Sequence, residues 1–199
     1  MSEEWEEDGN PWRVTSQRRG FENDWFVIDE HEAINPAGKP ARYDVIRPRR
    51  LAVGVVALEP DGSVHLIGQW RFPLNRYSWE IPEGGAEAGE DAETSARREL
   101  AEEAGLAAGR LVKILEMDIS NSLTDERCVL FLATDLTPAS GELDEVEVLR
   151  RRTAPFGEVL ARIRDGRIRD SLTVAGVLRA HHMAVTGELP PELAKAVLK

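Results

Sequence analysis

The sequence predicts a mixed α/β (α+β) protein with a β-rich arm at its N-terminal side, and three observations lead there. Apolar runs of strand length at 51–58, 64–70, 111–120 and 127–136 are separated by turn-forming residues. One Ala/Glu/Arg segment, 92–104, stands between two pairs of these runs and reads as a helix. Towards the C-terminal end, "FGEVLARIRDG" and "DSLTVAGVLRAHHMAV" place apolar residues at helical spacing.

Taken in order, residues 1–10 form an acidic tail. Residues 11–49 form an arm in which "WFVIDEHEAI" and "ARYDVIR" are strand-like pieces around the turn signal "NPAGKP". Few of the arm's residues are large and apolar, so it is expected to pack on something else. The main domain spans 50–190. It starts with "LAVGVVAL", a buried strand, turns at "EPDGS" and returns as "VHLIGQW", which reads as a hairpin. A loop rich in Pro and Gly leads into the helix, with Asp91 as its N-cap and Gly105 just past its end. Two more strands follow, then an acidic loop, "GELDEVE", another strand, and the closing helices. Residues 191–199 read as a C-terminal tail.

The chain has 199 residues, 42% hydrophobic and 31% charged, which suits one domain with an appendage. Its 25 Lys and Arg face 36 Asp and Glu, a net charge of -11, which argues against a general nucleic-acid binder. The single cysteine, Cys128, lies in the apolar run "CVLFLAT" and is expected to be a buried structural thiol. The start "MSEEWEEDG" lacks the basic and apolar regions of a signal peptide, and no apolar run approaches the roughly 20 residues that span a bilayer. A cytoplasmic protein without membrane partners is expected.

The stretch "RRELAEEAG" carries the chemistry. On a helix, Glu99, Glu102 and Glu103 share one face at i, i+3 and i+4, where each like-charge pair costs about 0.2–0.5 kcal/mol. Arg97 and Arg98 could neutralise such a face, as on any solvated helix. Yet Gly84 precedes Glu90 by five spacers, and seven spacers later come Arg98-Glu99-Leu100, one spacer, Glu102-Glu103, one spacer, and Gly105-Leu106. This pattern resembles the Nudix box at every specified position. The resemblance implies the Nudix fold, a mixed sheet sandwiched between helices, and hydrolysis of a phosphoanhydride. It implies that Glu99, Glu102 and Glu103 hold Mg²⁺ or Mn²⁺, Glu99 and Glu103 most directly, with the carbonyl of Glu83 as a further ligand. Hard divalent cations want such oxygen ligands, and they offset the charge of a diphosphate beside a water nucleophile. The resemblance also pairs Glu90 with Arg98 as a structural bridge. Gly84 and Gly85 are expected to let the backbone turn sharply there.

The segment "GQWRFPLNRYSWEIPEGG" resembles the branch that holds ADP-ribose pyrophosphatases and nucleoside-diphosphate-sugar hydrolases, as does the β-rich arm. That implies a homodimer through the arm, with Arg71 on substrate phosphate and Glu80 on the sugar or nucleoside side. Strand alternation puts Gln69 and Arg71 on one face. The arm aromatics Trp25 and Phe26 are candidates to stack on a base, against a core role. A proline that marks ADP-ribose-specific members is absent, its place being taken by Ser120 and Asn121, which moves weight towards GDP-mannose or UDP-glucose. The catalytic base of this branch falls in a loop matching 141–147, with Glu145 first and Glu142 second, beside Glu103 of the box.

Three further features read as structural. His181 and His182 suit a helix C-terminal end. "RPRR" at 47–50 and "RRR" at 150–152 read as solvated strand edges. Two rivals stand beside a nucleotide-sugar hydrolase: a nucleoside triphosphate sanitiser of the same fold, and a non-catalytic nucleotide-sugar sensor. The first is usually shorter and without the arm, and the second has no need of the intact box.

Overall fold

Residues 8–140 and 148–199 are described in this computed structural model of the chain, and they divide into two units. The first comprises the chain up to Arg49 together with Ser120–Glu126; the second comprises Arg50–Ile119 with Arg127–Lys199.

The first unit is an antiparallel sheet in the order β1 (Arg13–Glu22), β2 (Phe26–Ile34), β3 (Pro40–Pro48). The "NPAGKP" turn joins β2 to β3, with the Asn35 side chain accepting from the amides of Ala37 and Lys39. Strand β1 was not expected. It is exposed along its whole length, so no apolar alternation announces it, and it is defined by its ladder to β2. Arg18 and Arg19 reach across to Glu30 and Asp29. The segment 120–126, expected in the main domain, belongs to this unit: Tyr43 Oη donates to the Ser122 carbonyl at 2.6 Å, and Arg47 bridges Asp29 and Asp125 at 2.7 and 2.6 Å. Arg47 is therefore a tie within the unit and not a solvated strand edge.

The second unit holds two sheets. One is β7 (Glu83–Gly85), β4 (Ala52–Ala57), β9 (Arg127–Pro138), β8 (Leu106–Asp118), mixed because β4 and β9 run parallel. The other is β10 (Arg150–Pro155), β5 (Ser63–Arg71), β6 (Arg76–Glu80). The expected β4–β5 hairpin does not form as a ladder. Its turn is made, with Glu59 N–H donating to Ser63 O at 3.0 Å, but only the Leu58–Val64 bridge joins the strands before they part into separate sheets.

Strand β4 is buried on both faces, which is why its sequence is a continuous apolar run. Val53, Val55 and Ala57 meet Val129, Phe131 and Ala133 of β9 under Ala96 and Leu100 of the helix α1 (Ala92–Glu99) and its continuation. On the opposite face, Val56, Leu130 and Leu132 pack with Leu172, Val177 and Ala180 of α3 (Ser171–Thr186), beyond α2 (Phe156–Arg164) in sequence. The mixed sheet is thus sandwiched between helices. Gly176 permits the close approach of α3, since a Cβ there would lie 2.8 Å from Val56 Cγ2. Cys128 is fully buried in this core, as expected. Residues 191–197, read as a tail, instead form α4 (Pro191–Val197), whose Leu193 and Val197 are buried in the same cluster. The two apolar residues, four apart, make a single turn's stripe too short to distinguish from a tail in sequence. No helix among the described residues is long and apolar enough to cross a membrane.

The C-terminal end of α3 is tied by Arg179, which donates to Glu188 at 2.6 and 3.0 Å and to the Ile114 carbonyl at 3.2 Å. The Arg179 hydrogen bonds, then that of Thr186, lower the Glu188 pKa from 4.5 to about 2. A carboxyl whose folded pKa is depressed contributes stability above its unfolded pKa and loses it as pH falls through the folded one. Glu188→Gln is therefore expected to flatten the decline in thermal midpoint between about pH 4.5 and pH 2, leaving the remaining acid denaturation in place.

Candidate active site

Apart from Trp25 and Phe26, the described site residues lie in the second unit. Asp91 starts α1 by accepting from the Thr94 amide at 2.9 Å, as its N-cap position predicts. The helix widens into a π turn at Leu100–Ala104 and stops at Gly105, whose φ of 72° suits a residue without a Cβ. That turn carries Glu102 and Glu103, and Glu103 is only 3% exposed. The stop is reinforced by Arg151, which donates to the carbonyls of Glu103 and Glu102 at 2.5 and 3.0 Å. These are among the carbonyls a helix end leaves without partners. Arg151 was read as a solvated edge; because β10 lies outside the box, sequence spacing gave no sign of the contact.

Arg98 gathers the box. Its Nη2 donates to Glu90 Oε2 at 3.0 Å and to the Gly85 carbonyl at 3.1 Å, and its Nη1 reaches Glu99 and Glu102, each at 2.9 Å. The Glu90–Arg98 bridge is therefore present, and the same guanidinium also neutralises the acid face. The Glu90 hydrogen bond is the main cause holding Arg98 above its ordinary pKa, with Glu99 and Glu102 adding to it against burial. Arg97 turns away to Glu93 and the Ala108 carbonyl.

Gly84 and Gly85 do not turn sharply. They extend in β7 against Ala52 and Val53 of β4. Gly84 is needed for close approach instead, because a Cβ there would fall on the Glu99 carboxylate. The neighbouring Glu83 amide donates to Glu103 Oε2 at 2.8 Å, so β7 is clamped to both acids. Gly84→Ala is expected to displace Glu99 and cost about 1–3 kcal/mol in a denaturant titration.

The QWR strand forms a second group. Arg71 donates to both oxygens of Glu80 at 3.0 Å from Nε, and its Nη2 bridges Glu80 and Glu83, each at 2.7 Å. Gln69 also leans on Glu80, at 3.4 Å, so Gln69 and Arg71 do share a face. Glu80 was expected on the sugar or nucleoside side, but it is 2% exposed with both oxygens on Arg71, and here it holds Arg71 in place. Burial works against the charge of Arg71, and Glu80, Glu83 and Asp170 outweigh it, raising the pKa. For Glu83 burial wins: it and then the charges of Asp170 and Glu80 push the pKa well up, towards the neutral acid.

Asp170 was missed in sequence. It caps α3, accepting from the Thr173 amide at 2.7 Å, while Thr173 Oγ1 accepts from the Ile81 amide at 2.9 Å. Together these tie the start of α3 to the junction of β6 and β7, between Glu80 and Glu83. The cap pattern Asp170-x-x-Thr173 was legible, but its meeting with Glu83, far away in sequence, was not. Trp25 is 70% exposed in the first unit, and Phe26 is half-buried there. Glu142 and Glu145 lie outside the described residues.

Arg98 brings Glu99 and Glu102 together, and the Glu83 amide holds Glu103 next to Gly84, which packs against Glu99; carboxylate oxygens of this kind suit a hard divalent cation. The NUDIX domain family matches residues 48–172. The chain is similar to the ADP-ribose pyrophosphatase of Mycobacterium tuberculosis (strain ATCC 25618 / H37Rv), at 33% identity over 170 residues, covering 83% of this chain and 81% of that protein. It is likewise 33% identical over 144 residues to the ADP-ribose pyrophosphatase of Bacillus subtilis (strain 168), covering 71% of this chain and 77% of the relative. A crystal structure described as an ADP compounds hydrolase shares the fold, with a TM-score of 0.81 at 20% identity over 92% of this chain and all of that one. With the box residues assembled as described, the chain belongs to the Nudix domain family and is a pyrophosphohydrolase.

Proposed function

We propose that this Nudix enzyme hydrolyses, with a divalent metal, the diphosphate of a nucleoside diphosphate linked to a sugar, ADP-ribose first among them, to a nucleoside monophosphate and a sugar phosphate. The observation that carries the reading is the box itself, where Arg98 gathers Glu99 and Glu102, the Glu83 amide holds Glu103, and Gly84 packs against Glu99. The two relatives named as ADP-ribose pyrophosphatases support the substrate class. Glu99 and Glu103, with Glu102 and the Glu83 carbonyl, would hold Mg²⁺ or Mn²⁺, which when bound offsets the diphosphate charge and acts as a Lewis acid. Arg71, fixed by Glu80 and Glu83, contacts a substrate phosphate. Glu145, or Glu142 after it, orients or deprotonates the attacking water. The arm, with Trp12, Phe21, Trp25 and Tyr43 exposed, serves a homodimer.

The missing proline at Ser120 and Asn121 keeps GDP-mannose and UDP-glucose as competing substrates. The test is product analysis with purified protein and Mg²⁺ on ADP-ribose, GDP-mannose, UDP-glucose and a nucleoside triphosphate. The expected result is that kcat/KM is highest on ADP-ribose and falls by at least about tenfold on the triphosphate. Preference for a hexose nucleotide would move the specificity to the sugar side, and preference for the triphosphate would overturn the substrate class.

A further inference from the structure

We propose that Arg151, on a strand outside the box, is a positioning residue for the metal carboxylates: its forked donation to the carbonyls of Glu102 and Glu103 fixes the direction in which Glu103 projects. The proposal rests on the reading of Glu103 as a metal carboxylate.

Leu100–Ala104 winds as a π turn, and the last carbonyls of any helix lie beyond the reach of its own amides. Here their partners come from several places. The Gly105 amide donates to the carbonyls of Ala101 and Leu100, and the Gly105 carbonyl accepts from the Ala139 amide at 2.9 Å. The carbonyls of Glu102 and Glu103 accept from Arg151, at 3.0 Å from Nη2 and 2.5 Å from Nε. Those two carbonyls belong to the peptide planes on either side of the Glu103 Cα. One guanidinium thus fixes both backbone dihedrals of Glu103, and with them the course of its Cα–Cβ bond.

Arg151 is itself placed by the β10–β5 ladder, where it stands opposite Ile67. Gly105 leaves room for it, since a Cβ there would lie 2.9 Å from Arg151 Nη1. Among the described residues the guanidinium bonds to these two carbonyls and to no carboxylate, so its fork serves the turn and not an ion pair. The far end of the Glu103 side chain is held by the Glu83 amide, 2.8 Å from Oε2. Glu103 is therefore clamped at its backbone from β10 and at its carboxylate from β7, and neither clamp belongs to the box helix. A divalent ion binds tightly when its oxygen ligands already stand near their final places, and groups that orient such ligands are worth about 10–100-fold in affinity.

The experiment measures Mn²⁺ binding by the full chain, using the electron paramagnetic resonance signal of free Mn²⁺, for wild type, Arg151→Ala, Arg151→Lys, Arg152→Ala and Glu103→Gln. Arg152 carries the same charge one residue on but pairs with Glu158, so its variant controls for lost charge. Circular dichroism checks each fold. Arg151→Ala is expected to weaken Mn²⁺ at least about tenfold, and Arg151→Lys by less than Arg151→Ala but short of wild type, because an ammonium lacks the planar fork. Arg152→Ala should bind as wild type does. Turnover of ADP-ribose by Arg151→Ala should climb back towards wild type as Mn²⁺ is raised, with the KM for ADP-ribose unchanged, which a merely loosened fold would not give. Wild-type affinity in Arg151→Ala, or in Arg151→Lys should Arg151→Ala fail to fold, would overturn the proposal, as would an equal loss in Arg152→Ala. If Glu103→Gln weakens Mn²⁺ and Arg151→Ala does not, the proposal falls alone; if Glu103→Gln binds as wild type does, the metal reading of the box falls and the proposal with it.

Discussion

Glu103→Gln is expected to lower turnover at least about a hundredfold and to weaken dependence on Mg²⁺, with little change in the thermal midpoint. The separation of the two effects follows from how Glu103 is held. Its Oε2 accepts the Glu83 amide at 2.8 Å, and its side chain is 3% exposed on the π turn of the box helix. Glutamine keeps the shape and an acceptor oxygen for that amide, so β7 stays clamped. What it removes is the charge that an oxygen-seeking cation needs. A change in a residue that merely orients metal ligands costs about 10–100-fold, and a direct ligand should exceed that. Turnover and Mg²⁺ titration on the same preparation check both halves, and an enzyme with wild-type kinetics would remove Glu103 from the metal set.

Arg71→Ala is expected to act on both stability and turnover. Glu80 is buried, and without Arg71 its two oxygens retain, among the described residues, Gln69 at 3.4 Å, while Glu83 loses the Oε1 partner it has. Removing one partner of a buried ion pair costs about 3–5 kcal/mol, and because the Arg71 side chain is 35% exposed the lower end, about 3 kcal/mol, applies. Denaturant midpoints measure this. Arg71→Lys should recover only part of it, since an ammonium cannot make the two-pronged contact with Glu80. A loss under about 1 kcal/mol would show that Glu80 finds other partners or is neutral without Arg71.

Much of the box was legible because its logic is local. The N-cap at Asp91 and the stop at Gly105 follow from spacing along one helix, whereas the π turn that carries Glu102 and Glu103 gave no sign of itself in that spacing. The strand β4 announced its burial by being apolar throughout, and the structure explains this by a helix against each face. What escaped notice was non-local or unpatterned. Strand β1 is exposed at every position, so periodicity had nothing to report. The β4–β5 turn was right, but strand partners depend on which sheet each edge meets, and β4 pairs with β7 and β9 instead. Glu80 looked like a polar residue facing substrate until its burial under Arg71 was visible. Asp170 and Arg151 reach the site from 87 and 48 residues beyond Glu83 and Glu103, and no spacing rule spans such separations.

The most direct test of the account is ³¹P nuclear magnetic resonance of ADP-ribose incubated with the wild-type chain and Mg²⁺. The diphosphate signals should give way to two phosphomonoester signals, AMP and ribose 5-phosphate, and should persist unchanged with Glu103→Gln. Persistence of the diphosphate with the wild-type chain, or release of inorganic phosphate or pyrophosphate, would contradict it.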